Sequence, residues 1–450
     1  MFSPEQAIDR LTLGAAPEAF QRMQATGVGP WVEQQLDPGA EPATLAQRLS
    51  ELPSFGLDPA SAFDRYGPKP GMRQDPSARM AYRKGLHGLY LDAASARMLR
   101  GVHSPWQLRE LMTDFWFNHF NVFFHKGLCA LWTGDYEQTA LRPHLFGRFE
   151  DLLLATARHP AMLFYLDNWR NAVPTSRGGH DHAGFNENYG REVMELHTIG
   201  LHYSQADVIG ATRLLTGWGL NRRRAFHFAS RRHDFSLQTI RGKRFAGGEG
   251  AIIDFLRFLA RHPDTARHIS FEMAQYFVAD VPPPDLVTHM AARYNDTEGD
   301  LKAVTLAMIE HPAFARSAAQ RNKFRTPYRY TLALLRATGC ELDNIKPLIG
   351  TLHRLGQPLY GCVPPNGWAN TQAEWLSPDA LTHRLNLAVT IGAGWMKLFA
   401  DQPHGHALPL VPVLEALQHT TLHSVLASAR SAPPAMQTAV LLGSPQMQYC

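Results

Sequence analysis

The stretch that decides the fold class is SPWQLRELMTDFWFNHF, residues 104–120. Ser104 and Pro105 form an N-cap and a first helical position, a pair that is typical of a helix start. At 100° per residue, Leu108 and Phe115 share an apolar face opposite the charged side chains. Helix starts of this kind recur along the chain, whereas alternating strand patterns are scarce. The sequence therefore predicts a mainly α protein, a multi-helix globular bundle.

Further helix ends follow from capping patterns. Ser204 and Asp207 form a capping box before a helix that Gly217 would stop, and Ser377 with Pro378 starts another helix. Three His-Pro pairs each close an apolar helical stretch, and their imidazoles are interpreted as helix-end groups rather than metal ligands. These histidines are His159, His262 and His311.

Composition excludes several classes of protein. The chain has 450 residues, of which 45% are hydrophobic and 19% charged, with a net charge of +4. These values exclude a disordered chain and a coiled coil. Histidine is abundant, with 22 residues, which raises the question of metal binding or proton transfer. The four cysteines match no zinc or redox spacing, and HExxH, GxSxG and Walker motifs are absent from the sequence.

The amino terminus lacks the basic and apolar regions of a secretion signal. The longest nearly apolar run, residues 385–396, is shorter than the roughly 20 residues needed to cross a bilayer. We therefore expect a soluble, cytoplasmic protein. A mature exported chain would look the same, so the periplasm is the alternative.

Breaks in the sequence suggest three parts. A Gly-Pro-rich break at residues 67–71 separates an N-terminal helical segment, residues 1–70, from a central core, residues 71–320. A C-terminal helical segment, residues 321–450, would pack on that core. One continuous domain is the alternative.

One segment near residues 221–245 departs from the helical pattern. Residues 221–244 hold eight Lys or Arg against one Asp, so the excess of positive charge is local. We expect a short β-hairpin or an extended basic loop there. Such a loop is either solvated or binds an anion, and the near-neutral remainder does not favour nucleic acid as a partner.

The densest polar cluster is FNENYGREVMELHTIG, residues 185–200. If Asn186 caps a helix that Gly200 stops, three carboxylates, one amide and Arg191 share an arc of about 140°. His197 would point away from that arc and would need a partner on another element. The cluster is either a solvated face or a site whose carboxylates have split pKa values. A second candidate is His119, whose imidazole lies on an apolar face and needs a partner, usually a carboxylate or a metal.

These segments resemble the bacterial Domain-of-Unknown-Function 1800 family. The resemblance rests on residues 7–38, 108–122, 185–220, 233–245, 355–386 and 441–448, and is collinear over nearly the whole chain. The recurring family motifs fall on Trp116, Asn118, His119, Asn186, Glu187, Asn188, Arg191, Glu192, Glu195, His197, Thr216, Gly217, Trp218, His233, Asp234, Gly367 and Trp368. The resemblance also implies that many relatives are exported. It further implies a protein partner from a neighbouring family that looks like sulfatases or phosphatases.

The leading hypothesis is an enzyme whose carboxylate and histidine site uses a divalent metal or iron, or general acid–base catalysis, on an anionic or carbohydrate-like substrate. The candidate catalytic residues are Glu187, Arg191, Glu192, Glu195, His197 and Asp234. The candidate metal ligands are His119, Glu192, Glu195 and His233. The candidate substrate-binding residues are Asn118, Asn188, Trp218, Arg222, Arg223 and Trp368. The alternative is a non-catalytic scaffold that binds an acidic polymer or a protein partner through the basic loop.

Overall fold

Helices form most of the chain. The computed structural model describes residues 3–174, 184–417 and 423–450. The α-helices in these ranges are α1 Pro4–Leu11, α2 Ala19–Thr26, α3 Val28–Gln35, α4 Ala43–Ser50, α5 Pro59–Tyr66, α6 Pro76–His103, α7 Gln107–His119, α8 Cys129–Asp135, α9 Phe149–Arg158, α10 Pro160–Tyr165, α11 Glu187–Glu195, α12 Gln205–Leu214, α13 Glu249–Ala260, α14 Pro263–Phe277, α15 Pro284–Asp296, α16 Leu301–Glu310, α17 Pro312–Gln320, α18 Pro327–Thr338, α19 Lys346–Arg354, α20 Gln372–Trp375, α21 Pro378–Gly392, α22 Leu410–Leu417, α23 His423–Ser431, α24 Gln437–Leu442 and α25 Pro445–Gln448. The predicted mainly α class is confirmed.

The basic segment forms two small antiparallel hairpins. The strands are β1 Trp218–Leu220, β2 Phe226–Phe228, β3 Gln238–Ile240 and β4 Lys243–Phe245. Strand β1 pairs with β2, and β3 pairs with β4. The expected hairpin near residues 221–245 is thus confirmed, and the segment contains a second one.

Two predicted helix starts are confirmed and one is shifted. The capping box of Ser204 is present, and the Ser377 hydroxyl oxygen accepts from a backbone N–H of α21. Helix α7, however, begins at Gln107 rather than at Pro105. The reason is that Ser104 ends the preceding helix α6, while its hydroxyl accepts a hydrogen bond from the Trp106 N–H at 3.2 Å.

The three His-Pro pairs lie at helix boundaries, as predicted. His159, His262 and His311 are the N-caps of α10, α14 and α17. Their Nδ1 atoms accept from the backbone N–H two residues on, at 3.2, 3.1 and 3.3 Å. Burial lowers the pKa of His262 and His311, which favours the neutral ring that this acceptor role requires. They therefore act as hydrogen-bond acceptors for the first turn of the helix that follows.

One cluster of buried apolar side chains runs from Ala7 to Met447 and draws on all three predicted parts of the chain. The three-part division stays a prediction. All residues of helix α18 are buried, and the helix packs on α6, α19, α21 and α22. Among the described residues, no helix combines the length and apolarity needed to cross a bilayer.

Candidate functional site

The polar helix α11 is shorter than predicted. Asn186 is its N-cap, because the Asn186 side chain accepts from the Asn188 N–H at 3.0 Å. The helix ends at Glu195 and not at Gly200. His197 therefore lies beyond the helix, and its backbone N–H donates to the Glu192 carbonyl at 3.1 Å.

Two of the three carboxylates on α11 already have partners. Glu187 forms an ion pair with Arg191 at 3.3 Å and accepts a hydrogen bond from Gln205 at 3.0 Å. The Glu187 and Arg191 side chains are 43% and 38% exposed, so this pair contributes little to stability. Glu195 accepts a hydrogen bond from the Tyr203 hydroxyl. The solvated-face interpretation thus fits Glu187, while Glu195 is held by a neighbouring side chain.

Glu192 is the carboxylate of α11 that stands apart. It is half-buried, and its side chain makes no hydrogen bond within the described ranges. Burial, together with the charge of Glu195, raises the pKa of Glu192 above its ordinary value, although Arg191 opposes the shift. Burial also raises the pKa of Tyr165, and the charge of Glu192 adds to that rise, so the two side chains are electrostatic neighbours. The Tyr165 hydroxyl in turn donates to the Val363 carbonyl at 2.7 Å.

Three imidazoles and one carboxylate lie close together beyond the end of α11. We name this group the histidine cluster, and its members are His119, His197, His268 and Glu272. The His119 Nδ1 lies 2.5 Å from a Glu272 carboxylate oxygen. The rings of His197 and His268 have their centres 6.1 and 6.2 Å from that of His119. The structure therefore brings His119 and His197 together and adds two residues that the sequence did not reveal.

The geometry of the histidine cluster explains how α11 is held at its end. The His119 Nε2 lies 3.3 Å from the His197 carbonyl, and the His268 Nε2 lies 3.2 Å from the Leu196 carbonyl. These carbonyls follow the last turn of α11, and carbonyl groups at the end of a helix have no N–H donor from within the helix. Burial opposes ionisation of Glu272, but the imidazoles of His119 and His268 outweigh it and lower its pKa. An ionised Glu272 thus orients the His119 ring.

His197 is also buried, and one of its ring nitrogens lacks a hydrogen-bond partner among the described residues. It is 1% exposed, and its Nε2 has no hydrogen-bond partner among the described residues. Burial, and then the charges of His119 and His268, hold its pKa well below the ordinary value. His197 is therefore neutral in the folded protein.

His233 and Asp234 lie in a different group of contacts. The His233 Nδ1 is 2.7 Å from the Thr216 carbonyl, and its Nε2 accepts from the Gly248 N–H at 2.7 Å. Asp234 accepts from the Ser236 N–H at 2.9 Å and from its hydroxyl. His233 thus joins Thr216, which precedes β1, to Gly248, which follows β4, whereas the Asp234 side chain bonds to its close neighbour Ser236.

No three of the four candidate metal ligands, all of which the structure describes, form a group that could hold a metal ion. Glu195 contacts Tyr203, while His119 contacts Glu272 and His233 contacts Gly248. Within residues 3–174, 184–417 and 423–450, no group of three or more His, Cys, Asp or Glu is arranged to hold a metal ion. The described residues therefore do not fit a metal centre. Residues 180–182, His-Asp-His, also carry metal-ligating types of side chain, and they lie outside those ranges.

Two of the candidate substrate-binding residues connect the C-terminal half of the chain to α7 by hydrogen bonds. The Asn118 amide donates to the Trp368 carbonyl at 2.8 Å and accepts from the Trp368 N–H at 2.7 Å. Gly367 permits this approach, because its φ is +70° and a Cβ there would lie 2.3 Å from the Asn118 carbonyl oxygen. The Asn118 side chain thus binds the backbone of Trp368, which lies 250 residues further along the chain.

The remaining substrate-binding candidates are dispersed. Asn188 donates to the Leu166 carbonyl at 3.2 Å, and Trp218 is fully buried in β1. Arg222 is exposed, and Arg223 forms an exposed ion pair with a carboxylate of α5 at 2.9 Å. The structure does not gather these four residues into one pocket.

Comparison with known proteins places the chain in a family. The family model described as "Protein of unknown function (DUF1800)" matches residues 6–449. No curated protein and no solved structure matches the chain. Because the family match extends over nearly the whole sequence, the chain belongs to the DUF1800 family.

Proposed function

We propose that this protein is an enzyme that uses general acid–base catalysis, with Glu192 as the residue that carries the proton. The observation that supports this role is the environment of the Glu192 carboxyl group. It is half-buried and unpaired within the described ranges, whereas Glu187 and Glu195 on the same helix have polar partners. A raised pKa keeps a carboxyl group protonated closer to neutral pH, which a general acid requires.

Glu195 is the natural second group of the reaction. Residues three apart on a helix have Cβ atoms about 5–6 Å from each other. Paired carboxyl groups that hydrolyse glycosides are roughly 5–9.5 Å apart. In that chemistry Glu192 donates a proton to the leaving oxygen as the bond to the sugar carbon breaks, and Glu195 accepts a proton from the water whose oxygen forms the new bond to that carbon. Arg191 is partly exposed and suits an anionic group of the substrate.

The histidine cluster has a positioning role in this proposal. His119 and His268 contact the carbonyls that follow α11, so they fix the helix that carries Glu192.

A non-catalytic binding role is the second candidate. This role is supported by Arg222, Arg231 and Arg244, which are exposed on the segment of the two hairpins, residues 218–245. A binder of an acidic polymer would lose its ligand steeply with rising ionic strength and would not depend on Glu192.

A substrate panel tests the catalytic proposal. We expect the purified protein to release reducing sugar from at least one disaccharide or acidic oligosaccharide, in which the leaving alcohol needs a proton. Glu192→Gln should reduce the rate by about 10²-fold or more, because it removes the proton that the leaving group needs. Glu187→Gln is the matched control on the same helix and should retain the rate. An unchanged rate in Glu192→Gln, or no turnover across the panel, contradicts the proposal.

A further inference from the structure

A large concave cavity lies away from the histidine cluster. Its volume is about 790 Å³, which is within the range of small-molecule sites. It opens between α6, the loop that follows α7, helix α19 and the segment that precedes Trp368. Its floor is formed by Leu86, Tyr90, Phe123, Phe124, Ile349 and Leu359. The cavity therefore offers an apolar surface with several aromatic rings.

The rim of the cavity carries only positive or neutral groups. Arg83, His87, His125 and His353 line it and are exposed. No Asp or Glu is among the described residues that line this cavity. The His125 ring packs on an aromatic floor residue, with its centre 5.1 Å from that of Phe124. The charge of the rim thus complements an anionic group placed at the mouth.

The walls are held by contacts inside the protein, so the cavity does not depend on a ligand for its shape. The Phe124 N–H donates to the Tyr360 carbonyl at 3.0 Å, which joins the loop after α7 to the segment after α19. The rings of Tyr90 and Phe124 meet edge to face, with centres 5.1 Å apart. A preformed site of this kind loses little conformational entropy when a ligand enters.

We propose that this cavity binds a small molecule with an apolar body and a single anionic group, such as a carboxylate or sulfonate. The body packs on Leu86, Tyr90 and Phe124, and the anion lies at the rim beside Arg83. Charge complementarity favours this occupant over a neutral apolar molecule. The proposal does not depend on catalysis by Glu192.

Two fluorescent probes with similar apolar bodies separate the contribution of the anionic group to binding from that of the apolar body. Anilinonaphthalene sulfonate carries an anionic group, and N-phenylnaphthylamine lacks it. We expect the sulfonate to bind the folded protein at a single saturable site, about tenfold or more tightly than the neutral probe. Arg83→Glu should weaken sulfonate binding by about tenfold and leave the neutral probe unchanged. Leu86→Trp, which narrows the cavity, should weaken binding of both probes.

Lys84→Glu is the matched control, because Lys84 is exposed beside Arg83 but does not line the cavity. It should bind the sulfonate as the wild type does. Cooperative thermal unfolding of each variant shows that the fold is intact. Equal affinity for the two probes, equal effects of Arg83→Glu and Lys84→Glu, or unsaturable binding overturns the proposal. A concentration-dependent dimer that Leu86→Trp disrupts would also overturn it, because a second copy would then cover the cavity.

Discussion

Replacing Arg97 by alanine is expected to lower the free energy of unfolding by about 3–5 kcal/mol. The Arg97 guanidinium contacts Asp114 at 2.5 Å and Glu137 at 3.3 Å. The Tyr276 hydroxyl donates to Asp114 at 2.8 Å, and the Tyr360 hydroxyl donates to Glu137 at 3.0 Å. All these groups are buried, so the alanine variant leaves Asp114 without its cation in the core and leaves Glu137 with only the more distant Arg142, at 3.9 Å. Equilibrium denaturation with urea measures the loss.

Arg148→Ala is the control for this prediction. Arg148 and its partner Glu298 are 48% and 58% exposed, so breaking that ion pair should change the unfolding free energy by less than about 1 kcal/mol. Equal losses in the Arg97 and Arg148 variants would show that the buried network contributes no more than a surface pair.

Replacing His119 by alanine is expected to lower the free energy of unfolding by about 2–4 kcal/mol. The variant leaves a cavity among aromatic rings, since the His119 ring centre lies 4.5 Å from that of Phe120 and 5.4 Å from that of Trp116. It also removes the hydrogen-bond partner of Glu272. Thermal and urea unfolding at neutral pH measure the effect.

The pH dependence gives this second prediction a sharper test. The pKa of Glu272 is lowered in the folded protein, because His119 and His268 outweigh the opposing effect of burial. Its contribution to stability is therefore present above the ordinary Glu pKa of about 4.3 and is lost as pH falls through the lowered value. His119→Ala should flatten this acid limb.

His268→Ala is the comparison variant within the cluster. His268 is 25% exposed and its closest contact to Glu272 is 3.5 Å, so its loss should be nearer 1 kcal/mol. A His119→Ala protein with wild-type stability and an unchanged acid limb would contradict the positioning role of His119.

Much of the fold was predictable because helix ends are encoded locally. The capping box at Ser204 and the start at Ser377 depend on side chains within three residues of the backbone groups that they bind. The predicted helix start at Ser104 is wrong because Ser104 ends one helix just before the next begins. Two adjacent helices compete for the same polar residue there, and the sequence pattern does not show which of them it serves.

The site was predictable only in part because its contacts join distant segments. The sequence required a partner for the buried His119 ring, and a carboxylate was one of the two types expected. That carboxylate, Glu272, lies 153 residues further along the chain. Its spacing of four residues from His268 is a local signal, but such pairs are common on solvated helix faces. The same limit applies to Arg97, whose partner Glu137 comes from another helix.

We expect Glu192 to hold its proton more tightly than an ordinary glutamate, as the proposed function requires. A carbon NMR titration of the side-chain carboxyl groups, with the Glu192 signal assigned from Glu192→Gln, measures this directly. The raised pKa predicts a midpoint above the value of about 4.3 found for Glu in model peptides. A midpoint at or below that value would contradict the claim and with it the proposed acid–base role.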